Sequence, residues 1–226
     1  DPDAGDTFTY SFACATPGAD DSSFGIAGSD LNTAASFNFE VKKSYAICIR
    51  TTDLGGLFFD KNFTVTVTDV NEQTAKNGGF NLYPTGKKVP TSWVAALFAT
   101  TDGKDTVTKK EGAASVKIAG AIGKIKTLTQ TLTTLSGPLG DTFTFSYWVK
   151  ADKFPTAGLC QAQVSFYSGA TLKGTKILKC PTGTTYAWKK ATLNFTAPAA
   201  YTKVVIKFTF SKASGTVWFD LVSLLR

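Results

Sequence analysis

The sequence predicts an all-β protein, and three observations carry that prediction. Thr, Val, Phe, Gly and Ser are abundant, as strands and turns require. No apolar period of 3.6 residues is sustained anywhere along the chain. Short runs in which apolar and polar residues alternate recur between clusters of Gly, Asp, Asn and Pro. The 226 residues suffice for one large β domain or two ordinary ones, and either buries a core unaided.

Taken in order, Asp1-Pro2-Asp3-Ala4-Gly5-Asp6 is a D-x-D turn, after which Phe8, Tyr10 and Phe12 alternate with Thr7, Thr9 and Ser11 as a half-buried strand. Short strands are expected around Phe24-Gly25-Ile26 and from Ser36 to Val41. The clearest runs from Ser44 to Thr52, with Tyr45, Ile47 and Ile49 facing in and Cys48 and Arg50 facing out, and Asp53 with Gly55-Gly56 ends it. Phe63, Val65 and Val67 then share one strand face, and Thr64, Thr66 and Thr68 the other, so this strand can close a sandwich. Asp69, Asn71 and Glu72 follow at once. Their oxygens, with intervening carbonyls, are hard ligands suited to Ca²⁺, although the same residues also make a solvated turn.

Gln73 to Lys76 reads as a short polar link, and Asn77-Gly78-Gly79-Phe80-Asn81 opens a second domain. Strands are expected over 94–99, 114–119, 125–135, 142–151, 161–167, 176–180, 187–196, 203–210 and 216–224. Nine strands with turn signals between them have sandwich or jelly-roll spacing. In the strand from Thr142, Phe143, Phe145, Tyr147 and Val149 make the buried face. Gln130 shares a face with Leu128 and Leu132 and is expected as a satisfied core amide.

Charge is uneven. Residues 1–72 carry 11 acidic and 4 basic side chains, and residues 73–226 carry 6 acidic and 20 basic. Such a dipolar molecule can associate head to tail, bind polyanions, or neutralise its acidic part with a cation. The lysines are dispersed, without a basic cluster or recognition motif, which speaks against nucleic acid. Cysteines fall two and two, Cys14 with Cys48 and Cys160 with Cys180, none at C-x₂-C spacing and with no His in the chain. Zinc is therefore disfavoured, and two disulfides paired by proximity in sequence are expected, with an extracytoplasmic location. The lack of His, of G-x-S-x-G and of phosphate-binding loops argues against an enzyme. No apolar run approaches the roughly 20 residues that span a bilayer. With no Met and no leader before Asp1, the sequence reads as a processed product or a piece of a larger protein.

Residues 1–72 resemble the cadherin-type repeat of extracellular proteins. Asp1-Pro2-Asp3-Ala4-Gly5-Asp6 is similar to that family's D-x-D loop, Phe37-Asn38-Phe39-Glu40 to its L-D-R-E element, Thr52-Asp53-Leu54-Gly55-Gly56 to its A-x-D-x-G turn, and Thr68-Asp69-Val70-Asn71-Glu72 to its D-x-N-D linker. The resemblance implies a Greek-key sandwich with calcium at both ends. Asp1, Asp3 and Asp53 would serve an upper joint, and Glu40, Asp69, the Val70 carbonyl, Asn71 and Glu72 a lower one. Asn38 and Glu72 each stand where the family has Asp, which implies a weaker lower site. The family's first strand lies upstream of the D-x-D loop, so either the chain is truncated or another chain supplies that strand.

Residues 77–226 resemble the jelly-roll carbohydrate-binding modules attached to bacterial glycoside hydrolases and surface proteins. The similarity rests on Asn77-Gly78-Gly79-Phe80 with Trp93, on Leu128 to Leu132, Phe143 to Ala151 and Ala191 to Pro198, and on Val217 to Leu224. It implies a structural calcium using Asp220, with Asn81 replacing the family's second acid. For glycan stacking the candidates are Trp148, opposite the Phe143 face, and Trp188 with Tyr186; the same aromatics can equally be packed.

The expectation is an extracellular or cell-surface, secreted bacterial protein without catalytic activity, a calcium-rigidified structural or adhesive unit that assembles with copies of itself or with a preceding domain. The alternative is a glycan-binding accessory module of a larger secreted enzyme or adhesin.

Overall fold

The computed structural model describes residues 7–37, 39, 41–68, 70 and 72–226, and the chain is all-β. It divides into two compact units, Asp1–Val70 and Asn71–Arg226.

The first unit contains β1 (Thr9–Ser11), β2 (Phe24–Ala27), β3 (Asp30–Thr33), β4 (Ser44–Thr52) and β5 (Phe58–Thr66). The three strands β1, β4 and β5 form an antiparallel sheet in the order β1-β4-β5, and β2 and β3 form a hairpin. The β4–β5 register sets Ile47 opposite Phe63 and Thr52 opposite Phe58. Asp53 closes the turn between them, its Oδ1 accepting the Leu57 N–H at 2.8 Å. Among the described residues the buried apolar set here is small: Cys14, Phe24, Ile47 and Cys48.

Three expectations for this unit need correction. Cys48, predicted to face out, is 3% exposed, because the segment bearing Cys14 crosses that face and bonds to it; the Cys48 N–H also donates to Asp21 Oδ1 at 2.9 Å. Of the strand expected over 36–41, the described residues 36, 37, 39 and 41 are not in a strand; the hairpin uses Asp30–Thr33, and Phe37 stacks on Tyr45 at 4.2 Å. The Phe63–Val65 face has the predicted phase but is left open, with Phe63 at 41% exposure, since the two-stranded hairpin is too short to cover a nine-residue strand.

The second unit contains β6 (Val94–Ala96), β7 (Gly103–Asp105), β8 (Ser115–Ala119), β9 (Lys126–Leu132), β10 (Thr142–Asp152), β11 (Cys160–Ser168), β12 (Thr171–Lys179), β13 (Tyr186–Thr196), β14 (Lys203–Phe210) and β15 (Thr216–Leu225). They make two five-stranded antiparallel sheets, sheet I in the order β13-β10-β15-β8-β7 and sheet II in the order β12-β11-β14-β9-β6. Side-chain alternation fills the space between them. Sheet I contributes Phe143, Phe145, Tyr147, Val149, Val217 and Phe219; sheet II contributes Leu128, Ala162, Val164, Phe166, Ile206 and Phe208. Phe208 sits amid the aromatic contacts, 4.5 Å from Phe219, 5.1 Å from Tyr147 and 6.0 Å from Trp93 between ring centroids. Gln130 is a satisfied core amide, as expected, bonded through both its polar atoms to the Lys76 backbone.

Residues 73–76 are not a free link. The Glu72 N–H donates to the Arg226 carbonyl and the Thr74 N–H to the Leu224 carbonyl, so this segment runs along β15. Gly78 continues the approach: a Cβ there would lie 1.9 Å from the Val222 carbonyl oxygen, which leaves glycine as the residue that fits. A bulge at Leu221, in the left-handed region at φ 49°, lets β15 carry both Asp220 and Val222 past β10.

Candidate functional site

Each sheet of the second unit has an outward face. On sheet I, Trp148 lies between Lys190 of β13 and Asp220 of β15, on the phase opposite Phe145 and Tyr147, as its position in the alternation requires. Its ring is not an open platform. Trp148 is half-buried, and the Lys110 ammonium sits 4.3 Å from its centroid, carried there by a loop that crosses the face. Trp188 is half-buried on the same outward phase as Lys190. Tyr186 is only 7% exposed, because a bulge between the Val149–Lys189 and Ala151–Tyr186 pairs reverses the phase and turns it inward against Phe154. Burial pushes the Tyr186 phenol up to about 12. It therefore offers no stacking surface.

Asp220 is fully buried beneath that crossing loop. Its Oδ2 accepts the N–H groups of Lys110 at 2.9 Å and Glu111 at 3.3 Å, and its Oδ1 accepts that of Leu221 at 2.8 Å. Asn81 Oδ1 accepts the Ala113 N–H at 2.6 Å. Burial raises the Asp220 carboxyl above the usual carboxylate range despite these bonds. The groups converging on Asp220 are N–H donors, which complement an anion, so this set does not fit a calcium ion.

Of the expected joint ligands, Asp1, Asp3, Glu40, Asp69 and Asn71 lie outside the described residues. Asp53 is engaged in its turn, and the Glu72 backbone pairs with Arg226. Among the described residues no group of three or more His, Cys, Asp or Glu is placed to hold a metal. Both disulfides form as expected, Cys14–Cys48 and Cys160–Cys180. No helix among the described residues is long and apolar enough to cross a membrane.

The outward face of sheet II escaped the sequence reading. Gln161, Gln163, Ser165 and Tyr167 share one phase of β11, opposite the buried Ala162, Val164 and Phe166. Lys203 and Lys207 of β14 pair with Tyr167 and Gln163, and Lys179 of β12 pairs with Gln161. Ser165 and Thr209, also on this outward phase, are 2% and 7% exposed. Small side chains are covered in this way when longer neighbours stand over them, so the face is a shallow trough with a hydroxyl floor. Ser165 Oγ and Thr175 Oγ1 are 2.9 Å apart along it, and the Lys203 ammonium lies 4.9 Å from the Tyr167 centroid. No Asp or Glu occurs in any of the five strands of sheet II.

No protein-family model matches the chain, and no curated protein does. Among solved structures it is similar to the enzymatically active domain of tailspike protein 4 of bacteriophage CBA120, at 17% identity and a TM-score of 0.53, over 68% of this chain and 21% of that one. The chain thus spans about a fifth of that protein's length. Two further similarities are to TmCBM61, solved in complex with β-1,4-galactotriose, at 14% identity and a TM-score of 0.47 over 69% of this chain and 99% of that chain, and to the CBM22-1 xylan-binding domain of Paenibacillus barcinonensis Xyn10C, at 11% identity and 0.47 over 70% and 96%. At these identities the likeness is one of fold. The class that the two packed antiparallel sheets define is the β sandwich, and the structural neighbours include carbohydrate-binding modules.

Proposed function

We propose that this protein is a non-catalytic, secreted glycan-binding module whose ligand lies in the trough of sheet II. The observation that carries the reading is the chemistry of β11: two amides, a hydroxyl and an aromatic ring on one outward phase, beside the ammonium groups of β14. Saccharide hydroxyls need paired donors and acceptors, and the apolar face of a sugar ring needs an aromatic surface. The two disulfides support an oxidising, extracellular setting. Affinity electrophoresis against a panel of soluble polysaccharides tests it. Gln163→Ala and Tyr167→Ala should abolish retardation with the melting temperature unchanged. Retardation that survives both, but is lost in Trp148→Ala or Trp188→Ala, would move the site to sheet I and refute the trough.

A second reading, a structural or adhesive component that assembles with copies of itself, is favoured by the edge of the first unit. β5 is a nine-residue edge strand with Phe58 58% and Phe59 68% exposed, and Tyr10, Ile49, Phe59 and Phe63 line a groove of about 290 Å³ beside it. The occupant proposed is a second copy of this chain, its β5 pairing antiparallel about Asn62, which sets one aromatic face beside the other. Calcium at the cadherin-type ligands would stiffen such an assembly. Sedimentation of the full chain with and without a chelator tests this: Phe59→Lys should abolish association, and a monomer at every concentration, with or without calcium, removes it.

A further inference from the structure

Beyond Gln161 and Lys179, the trough of sheet II ends in a pocket of about 340 Å³, walled by the Cys160–Cys180 disulfide, Phe154 and Lys212. Lys212 is the unusual group. It is 6% exposed, its ammonium donates to the Thr156 carbonyl at 2.8 Å, and it lies 5.1 Å from the Phe154 centroid. An ammonium has three N–H donors, and among the described residues the other two of Lys212 find no protein acceptor. None of the ion pairs among the described residues includes it.

The same unit shows what a structural buried lysine looks like. Lys126, 3% exposed, is paired with Asp102 at 2.6 Å and with the Ala119 carbonyl at 2.8 Å. A buried charge without its counter-ion is costly, and no carboxylate among the described residues answers Lys212 as Asp102 answers Lys126. Burial correspondingly pushes the Lys212 ammonium down from its ordinary pKa. The surroundings make the imbalance general: residues 153–219 contain nine lysines and neither Asp nor Glu, so the rim that carries Lys179 has no acidic group of its own sequence to answer it.

We infer that this pocket receives the anionic substituent of an acidic saccharide, a uronate carboxylate or a sulfate ester, on a glycan whose neutral part lies in the trough. The inference rests on the glycan reading above and names the class of glycan. The anion accepts the two N–H donors of Lys212 that the described residues leave unbonded, and Gln161 and Lys179 continue the contact onto β11 and β12.

Calorimetric titration of the full chain with oligogalacturonate, a sulfated galactan oligosaccharide and neutral β-1,4-galactan oligosaccharides tests the inference. At least one acidic ligand should bind about tenfold or more tightly than the neutral one, the order of a charge-assisted hydrogen bond, with affinity falling as salt rises. Lys212→Met should remove that preference in a protein that is folded by near-ultraviolet circular dichroism. Lys179→Ala, on the exposed rim, should weaken the acidic ligand a few-fold and keeps the test decisive if Lys212→Met fails to fold. Uronate alone or sulfate alone supports the inference and names the anion. Neutral galactan bound as tightly as the acidic ligands, or acidic binding that survives both substitutions, overturns it and leaves the glycan reading standing. Retention of no polysaccharide, acidic or neutral, overturns the glycan reading itself.

Discussion

The ion pair of Lys126 and Asp102 offers the sharpest test of the second unit's energetics, because its two members do not depend on each other equally. Asp102 accepts three hydrogen bonds: from the Ala119 N–H at Oδ1, and from the Ala99 N–H and the Lys126 ammonium at Oδ2. Lys126 has the Asp102 carboxylate and one carbonyl. Lys126→Met therefore leaves a carboxylate that two backbone N–H groups still solvate. Asp102→Asn leaves a buried ammonium beside a neutral amide, whose NH₂ must also face at least one backbone N–H. Breaking a buried pair costs about 3–5 kcal/mol, and the lower end belongs to Lys126→Met and the upper to Asp102→Asn. In a unit of this size those costs lower the melting temperature by about 6–12 °C and about 10–20 °C respectively. Urea unfolding followed by tryptophan fluorescence reads the second unit alone, since all four tryptophans lie in it. The double variant should cost less than the two single costs combined, as coupled partners do. A larger loss for Lys126→Met than for Asp102→Asn, or losses under about 1 kcal/mol for both, would refute the assignment of the pair as a mutually dependent buried bridge.

Two further outcomes follow from the first unit. The Arg50 guanidinium and the Ala15 N–H hold the Asp60 carboxyl down to about 2; a depressed folded pKa means its stabilisation is full above about pH 4 and fades as pH falls toward about 2. The Ala15 amide resonance should titrate with that midpoint, and Asp60→Asn should abolish the titration; a midpoint near the ordinary carboxylate value would contradict it. Cys14 and Cys48 are two of the four buried apolar residues among the described residues of this unit, so reduction should unfold it well before the second, as read by hydrogen exchange. Simultaneous loss of protection in both units would be the contrary result.

What the sequence revealed and what it hid divide along the range of the interactions. The inward phase of β10 and the outward phase of Trp148 follow from a period of two and needed nothing beyond the strand itself. The inward turn of Tyr186 did not, because it depends on a bulge that only the pairing of β13 with β10 defines. Lys110 above Trp148, and the Lys110 and Glu111 N–H groups at Asp220, arise from a loop more than 30 residues away in sequence from either. β7, Gly103-Lys104-Asp105, has no apolar alternation to announce it; it is a strand because β8 is beside it. The trough was legible in principle. Gln161-x-Gln163-x-Ser165-x-Tyr167 alternates with Ala162, Val164 and Phe166, and the absence of acid from 153 to 219 is plain in the chain, but no tryptophan marks this sheet's outward face as Trp148 marks the other.

The place of β15 has a consequence for biosynthesis. It is the last strand of the sandwich to leave the ribosome, yet it lies at the centre of sheet I between β10 and β8, and along it run Gln73 to Gly78, the first residues of the unit to emerge. Until it arrives, β10 and β8 present unsatisfied edges and the opening segment lacks its hydrogen bonds to β15, so the unit cannot complete its fold progressively during translation. The nascent chain must instead carry open strands until Phe219 and Leu224 reach the core, so the closing of sheet I is a post-translational step.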